Sequence, residues 1–203
     1  MNREDRIRNA IKPFLPPGTE HRLAKQIVDH RCHLTITRER KTKAGDYRHP
    51  YGNQGHRISV NGTLNPYAFL ITLVHEMAHL VTWEQNRNRV KPHGKEWKDA
   101  FKLEMQPYLT EGVFPKDVLS ELKRHMRSPL SATSRDLNLV RVLKSYDEPN
   151  AQVFLEDVPF NSEFTLGNKR FVKGEQLRKR FRCTEVGTGK VYLVSSIAEV
   201  LTD

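Results

Sequence analysis

The chain has 203 residues, 37% hydrophobic and 29% charged, with a formal net charge of +10. That length buries a core without staples and leaves one domain or two small ones open; the composition fits a folded globular chain, not a disordered one. No apolar run approaches the roughly 20 residues that span a bilayer, so no membrane segment is expected.

Taken in chain order, residues 3–12 and 20–31 read as helices parted by the breaker Pro16-Pro17-Gly18. Residues 33–39 alternate like a strand, Lys43–Asp46 has turn chemistry, and a second strand follows. Arg57–Asn61 alternates again, with Ile58 and Val60 on one face. Asn65-Pro66 is a helix start, with Asn as N-cap and Pro at the first helical position. The apolar stretch from Pro66 to Asn86 predicts a mostly buried helix. A second helix is expected from about His93-Gly94, with Trp97, Phe101 and Met105 on one face, and a third over Val118–Met126.

The stretch Arg127–Arg135 is small, polar and proline-bearing, which predicts a linker between a domain at 1–128 and a module at 136–203. In that module Leu139–Leu143, Gln152–Leu155, Arg170–Val172, Arg178–Val186 and Val191–Val194 read as short strands. Gly167-Asn168 and Gly187-Thr188-Gly189 are hairpin-like turns between them, so the module is expected to be a small antiparallel β unit.

The stretch that carries chemistry is His75-Glu76-Met77-Ala78-His79. On a helix, residues i and i+4 share a face, so the two imidazoles can reach one metal ion while Glu76 leans on a water beside it. This is the H-E-x-x-H arrangement of zinc peptidases. Zinc polarises a carbonyl and acidifies water, and the carboxylate takes the proton as the water attacks. An apolar helix would hold such a cluster only at high cost without a partner such as a metal.

A catalytic zinc has three protein ligands, and the third must come from downstream. The metzincin extension fails, because Thr82 and Gln85 stand where that pattern wants Gly and His. His93, Glu84, Glu96 and Glu104 are the candidates. Glu84 is rotated off the face of His79, whereas His93 stands where the next helix folds back.

His75-Glu-Met-Ala-His79, followed at short range by His93-Gly-Lys-Glu-Trp97, resembles the SprT-like zinc metallopeptidase family, which includes the Spartan proteases. The preceding Arg57–Pro66 segment is also similar, and the resemblance covers about residues 20–110. It implies a zincin-like α+β domain, Zn2+ as cofactor, His93 as third metal ligand and Glu76 as general base. In the Spartan branch it implies DNA-dependent proteolysis of proteins crosslinked to DNA. The chain departs from many members in lacking a cysteine-rich zinc ribbon, since only Cys183 follows the first domain.

Charge bears on the partner. Residues 1–130 hold 23 Lys/Arg against 14 Asp/Glu, and residues 131–203 hold 11 against 10. A surplus on the half with the metal motif favours polyanions such as nucleic acid, and the partner expected beside the family resemblance is single-stranded or junction-containing DNA. The Lys169–Arg182 segment interleaves seven basic residues with Phe171 and Phe181. It reads either as a nucleic-acid track or as an ordinary strand with its Phe side chains in the core. His30, Cys32 and His33 read as a local polar corner. Ile58 and Val60 lie on the strand that zincins present to an extended substrate, near Tyr47, Tyr51, His56 and Arg57 as possible oxyanion stabilisers. Two cysteines and a charged start, Met1–Arg6, point to a reducing, cytoplasmic setting.

The resulting expectation is an α+β zincin-like domain followed by the β module. It would act as an endopeptidase on DNA-associated proteins through His75, His79, His93 and Glu76. The alternative is a nucleic-acid-binding protein whose zinc is only structural. Oligomeric state is not legible.

Overall fold

Asn2 opens the first helix by accepting a hydrogen bond from the Asp5 amide, and α1 (Arg3–Ile11) runs until Pro13 forbids a further α turn. In α2 (Glu20–Asp29), Leu23, Ala24 and Ile27 recur at helical spacing and are fully buried. The computed structural model describes residues 1–38, 40, 43–148 and 151–202, which form two units, Met1–Asp147 and Glu148–Asp203.

Three strands follow: β1 (His33–Thr37), β2 (Gly45–Arg48) and β3 (Arg57–Asn61), in the order β1-β3-β2. β1 pairs with β3 in parallel and β2 pairs with β3 antiparallel. The expected strand over 33–39 ends at Thr37, and its last residue lies outside the described residues. Gly45 and Asp46, read as a turn, already belong to β2. β3 is the central strand, so the edge expected at Ile58 and Val60 is instead β2; those two side chains are buried in the core.

α3 (Pro66–Asn86) starts at the predicted cap, Asn65 accepting from the amides of Tyr67 and Ala68 at 3.1 and 3.0 Å. Ten of its 21 residues are buried, because other elements cover it on several sides. α4 (Lys95–Met105) presents Trp97, Phe101 and Met105 to the same core. Burying such aromatics contributes about 2–3 kcal/mol each. α5 (Lys116–Arg127) follows.

The segment after α5 corrects the sequence reading. Leu139–Leu143 is not a strand but part of α6 (Leu137–Lys144), capped by Asp136. Leu139 and Leu143, four apart, are buried in the first core, a helical spacing that an alternating reading of five residues hides. The buried Asn65 also donates to the Leu143 carbonyl at 2.9 Å and to Asp147 at 2.6 Å. The α3 cap is thereby tied to the end of α6. The first unit therefore runs on to Asp147, beyond the 128–136 boundary expected from composition.

The second unit is one antiparallel sheet of β4 (Gln152–Phe154), β5 (Glu163–Leu166), β6 (Lys169–Leu177), β7 (Arg180–Glu185), β8 (Val191–Ser195) and β9 (Glu199–Leu201), in the order β4-β9-β5-β6-β7-β8. β5 and β9, four and three residues long, are too short to announce themselves in sequence. Arg178 and Lys179, read as strand, form the turn before β7. Phe171 and Phe181 are buried beside Phe164 and Val200, so neither is free to stack a base. Lys173 is buried too, its ammonium donating to the carbonyls of Glu156 and Val158. No helix among the described residues is long and apolar enough to cross a membrane.

Candidate metal centre

The helical period sets the first two ligands. His75 and His79 lie one turn apart on α3, with ring centroids 5.1 Å apart. The chain leaves α3 at Arg87 and returns through His93, which adopts a left-handed φ of 57° immediately before Gly94 caps α4. That turn brings the His93 Nε2 to 3.0 Å from the His79 Nε2. One ring nitrogen from each of the three imidazoles lies within 4.8 Å of the other two. Trp97 packs against all three rings, with centroids at 4.6, 5.3 and 4.7 Å from His75, His79 and His93.

Burial favours the neutral, ligand-competent imidazole. Desolvation, helped by the neighbouring histidines, lowers the His75 pKa to about 3 and the His79 pKa to about 4. His93 is lowered as well, first by burial and then by Arg135. Three neutral imidazoles drawn together suit zinc: a tetrahedral nitrogen set with bonds of about 2.0–2.1 Å separates its nitrogens by about 3.3 Å. A hydrogen bond alone accounts for the His79–His93 approach but not for the convergence of His75.

Glu76 faces the same cleft, which has a volume of about 420 Å³. Only 7% of the residue is exposed. Burial, then the Asp46 carboxylate, raises its pKa to about 8; Arg40, Lys43 and the Tyr47 backbone amide pull the other way. β2 passes directly over it: a Cβ placed on Gly45 would stand 2.6 Å from Glu76 Oε1 and 2.7 Å from Thr72 Cγ2. Another part of the lining is Ser131–Ser134, within the segment that sequence composition suggested as a linker. It is anchored by Asp136, which bonds Arg124 at 2.8 Å and the buried His125 at 2.9 Å. No sequence signal separates such a wall from a spacer.

The remaining candidates go elsewhere. Glu84 accepts from His30 at 2.8 Å and faces His56, and Glu104 bonds Gln26, so neither joins the histidine group. Glu96 is exposed and also lies outside the group. His30 is thus a polar partner of Glu84, while Cys32 is buried. Of the possible oxyanion stabilisers, Tyr47 lines the cleft with its ring parallel to His79, and its hydroxyl bonds His56 at 2.9 Å. Tyr51 is 79% exposed, and Arg57 bonds Gln54.

Compared with known proteins, residues 19–110 match the model of the SprT-like family, which is associated with metallopeptidase-like proteins. The matched segment spans α2 through α4 and holds all three histidines and Glu76. No curated protein and no solved structure matches the chain.

Proposed function

We propose that this SprT-like chain is a zinc-dependent endopeptidase with a zincin-like catalytic domain, acting on proteins bound or crosslinked to DNA. The observation that carries the reading is the convergence of His75, His79 and His93 beside Glu76 in one cleft. The three imidazoles would hold zinc, which supplies Lewis acidity to a carbonyl and makes water a competent nucleophile near neutral pH.

The chain's own residues do the rest. Glu76 takes the proton of a water in the cleft as it attacks the scissile carbonyl, then passes it to the leaving amine. β2, an edge strand on the cleft wall, pairs with an extended peptide along its outer edge. Tyr47 borders the place where negative charge develops on the carbonyl oxygen. DNA association rests on the family match and on charge: residues 1–147 hold 26 Lys/Arg against 16 Asp/Glu, and residues 148–203 hold eight of each. The whole surplus of ten thus belongs to the unit with the histidines. Two free, buried cysteines support a reducing, cytoplasmic setting.

The test is cleavage of a DNA-binding protein by the zinc-loaded chain with and without single-stranded DNA, beside Glu76→Gln. Cleavage by wild type alone, stimulated by DNA, supports both halves. Cleavage indifferent to DNA keeps the peptidase and removes the DNA role. Bound zinc without turnover under any condition moves the chain to the structural-zinc alternative.

A further inference from the structure

A second cavity, of about 340 Å³, adjoins the histidine centre and shares Tyr47, His79 and Trp97 with it. Its outer rim carries Arg87 and Lys91, and none of its lining residues is an Asp or a Glu. Among the described residues neither cation has an ion-pair partner. The Arg87 guanidinium lies over the Trp83 ring at 4.2 Å, held there by a cation–π contact. Arg87 is also the residue that ends α3, in a left-handed conformation with φ of 56°. Arginine carries a conformational cost there and has no capping advantage over Gly or Asn. The walls add Trp83 and Trp97, whose indole N–H groups have no acceptor among the protein atoms.

We infer that this cavity is a substrate subsite for an acidic side chain, Asp or Glu, with Arg87 and Lys91 binding its carboxylate. The inference rests on the peptidase reading and specifies the substrate. Successive residues of an extended peptide are about 3.3 Å apart with side chains alternating, so a peptide held at the histidines places a side chain over this cavity one or two residues away. An arginine fixed on an aromatic face presents its donor fork to a carboxylate with little further ordering. A nucleic-acid phosphate is the weaker fit. A phosphate track needs a run of cations along the path of the strand, whereas the lining here holds two, Arg87 and Lys91, set between Trp83 and Trp97.

The experiment measures binding and cleavage separately on the full, zinc-loaded chain. Binding is read on the Glu76→Gln protein with fluorescein-labelled peptides that differ only by Glu against Gln at each position of an otherwise neutral sequence. Cleavage is read on wild type with a randomised peptide library. At one position the Glu peptide should bind about tenfold more tightly or better, as a charge-assisted pair gives. The same preference should appear within two residues of the cleaved bonds. Arg87→Glu with Lys91→Glu should abolish it and favour Lys instead; the single Arg87→Gln and Lys91→Gln exchanges should weaken it in a fold the mutation barely perturbs.

Acidic preference in binding without cleavage would sink the peptidase and keep the subsite. Cleavage with no acidic preference, or with a preference the variants leave unchanged, overturns the subsite and keeps the peptidase. Displacement by a short oligonucleotide that depends on Arg87 and Lys91, with no Glu-against-Gln difference, also overturns it and identifies phosphate as the occupant.

Discussion

Gly45 and Glu76 are packed so closely that a single methyl group on the glycine would fall 2.6 Å from the carboxylate oxygen. The backbone of β2 is thereby the lid on the proposed general base. Gly45→Ala must move β2, or else both Glu76 and Thr72. Overpacking of this kind costs about 1–3 kcal/mol. We expect the variant to remain folded with a lower melting temperature and to bind zinc, but to lose turnover by at least tenfold. Normal kcat in Gly45→Ala, measured alongside thermal unfolding, would show that the approach is not needed.

Metal binding should release protons from an unexpected place. In the metal-free chain Glu76, with its pKa near 8, holds a proton at pH 7, whereas His75 and His79, near 3 and 4, hold none. A divalent ion beside Glu76 drives the carboxyl to ionise. Zinc binding at pH 7 should then release about one proton more from wild type than from Glu76→Gln. Calorimetry in two buffers of different ionisation enthalpy gives the number directly; equal release by both proteins would assign the proton elsewhere.

The same groups shape the stability of the metal-free chain. Glu76 is raised on folding, so its contribution is full below pH 4.5 and is lost as pH rises through about 8. The histidines are lowered, so theirs is full above pH 6.5 and is lost as pH falls towards 4 and 3. The histidines outnumber the single carboxyl below pH 6.5, and Glu76 acts alone above it. Unfolding by urea should therefore show greatest stability near pH 6.5, and chelator-treated Glu76→Gln should lose the decline on the alkaline side.

Asp136 anchors part of the cleft's lining. Its carboxylate is only 10% exposed and accepts from the almost fully buried His125. Asp136→Ala should cost about 2 kcal/mol, the scale of a charge-assisted hydrogen bond in a largely buried setting. With Ser131–Ser134 released, KM for a protein substrate should rise more than kcat falls. A kcat loss at constant KM would place the segment outside substrate binding.

In the second unit, Phe181→Ala should destabilise the sheet by about 3–5 kcal/mol, because the ring is a core residue with the Lys173 ammonium 4.0 Å from its centre. Nucleic-acid affinity of the folded fraction should not change. Selective loss of single-stranded DNA binding in a folded Phe181→Ala protein would restore the base-stacking role that burial argues against.

What the sequence by itself determined lies within about one helical turn of each residue concerned. Asn65-Pro66 capped α3 as predicted, the i and i+4 spacing put His75 and His79 on one face, and Trp97, Phe101 and Met105 marked the buried face of α4. These follow from a 3.6-residue period and the chemistry of helix ends. His93 followed from its place at the entry of the next helix, with the family resemblance in support.

Tertiary structure alone decided the rest. Pairing order made β2 the edge strand instead of β3 and laid Gly45 on Glu76. Two hydrogen bonds from Asn65 gathered α6 into the first unit, so the apparent linker became a wall of the cleft. Folding also left Arg87 and Lys91 over a cavity without a carboxylate. Each of these joins residues distant in sequence. Their meeting depends on how whole elements pack, and no local period or propensity encodes it.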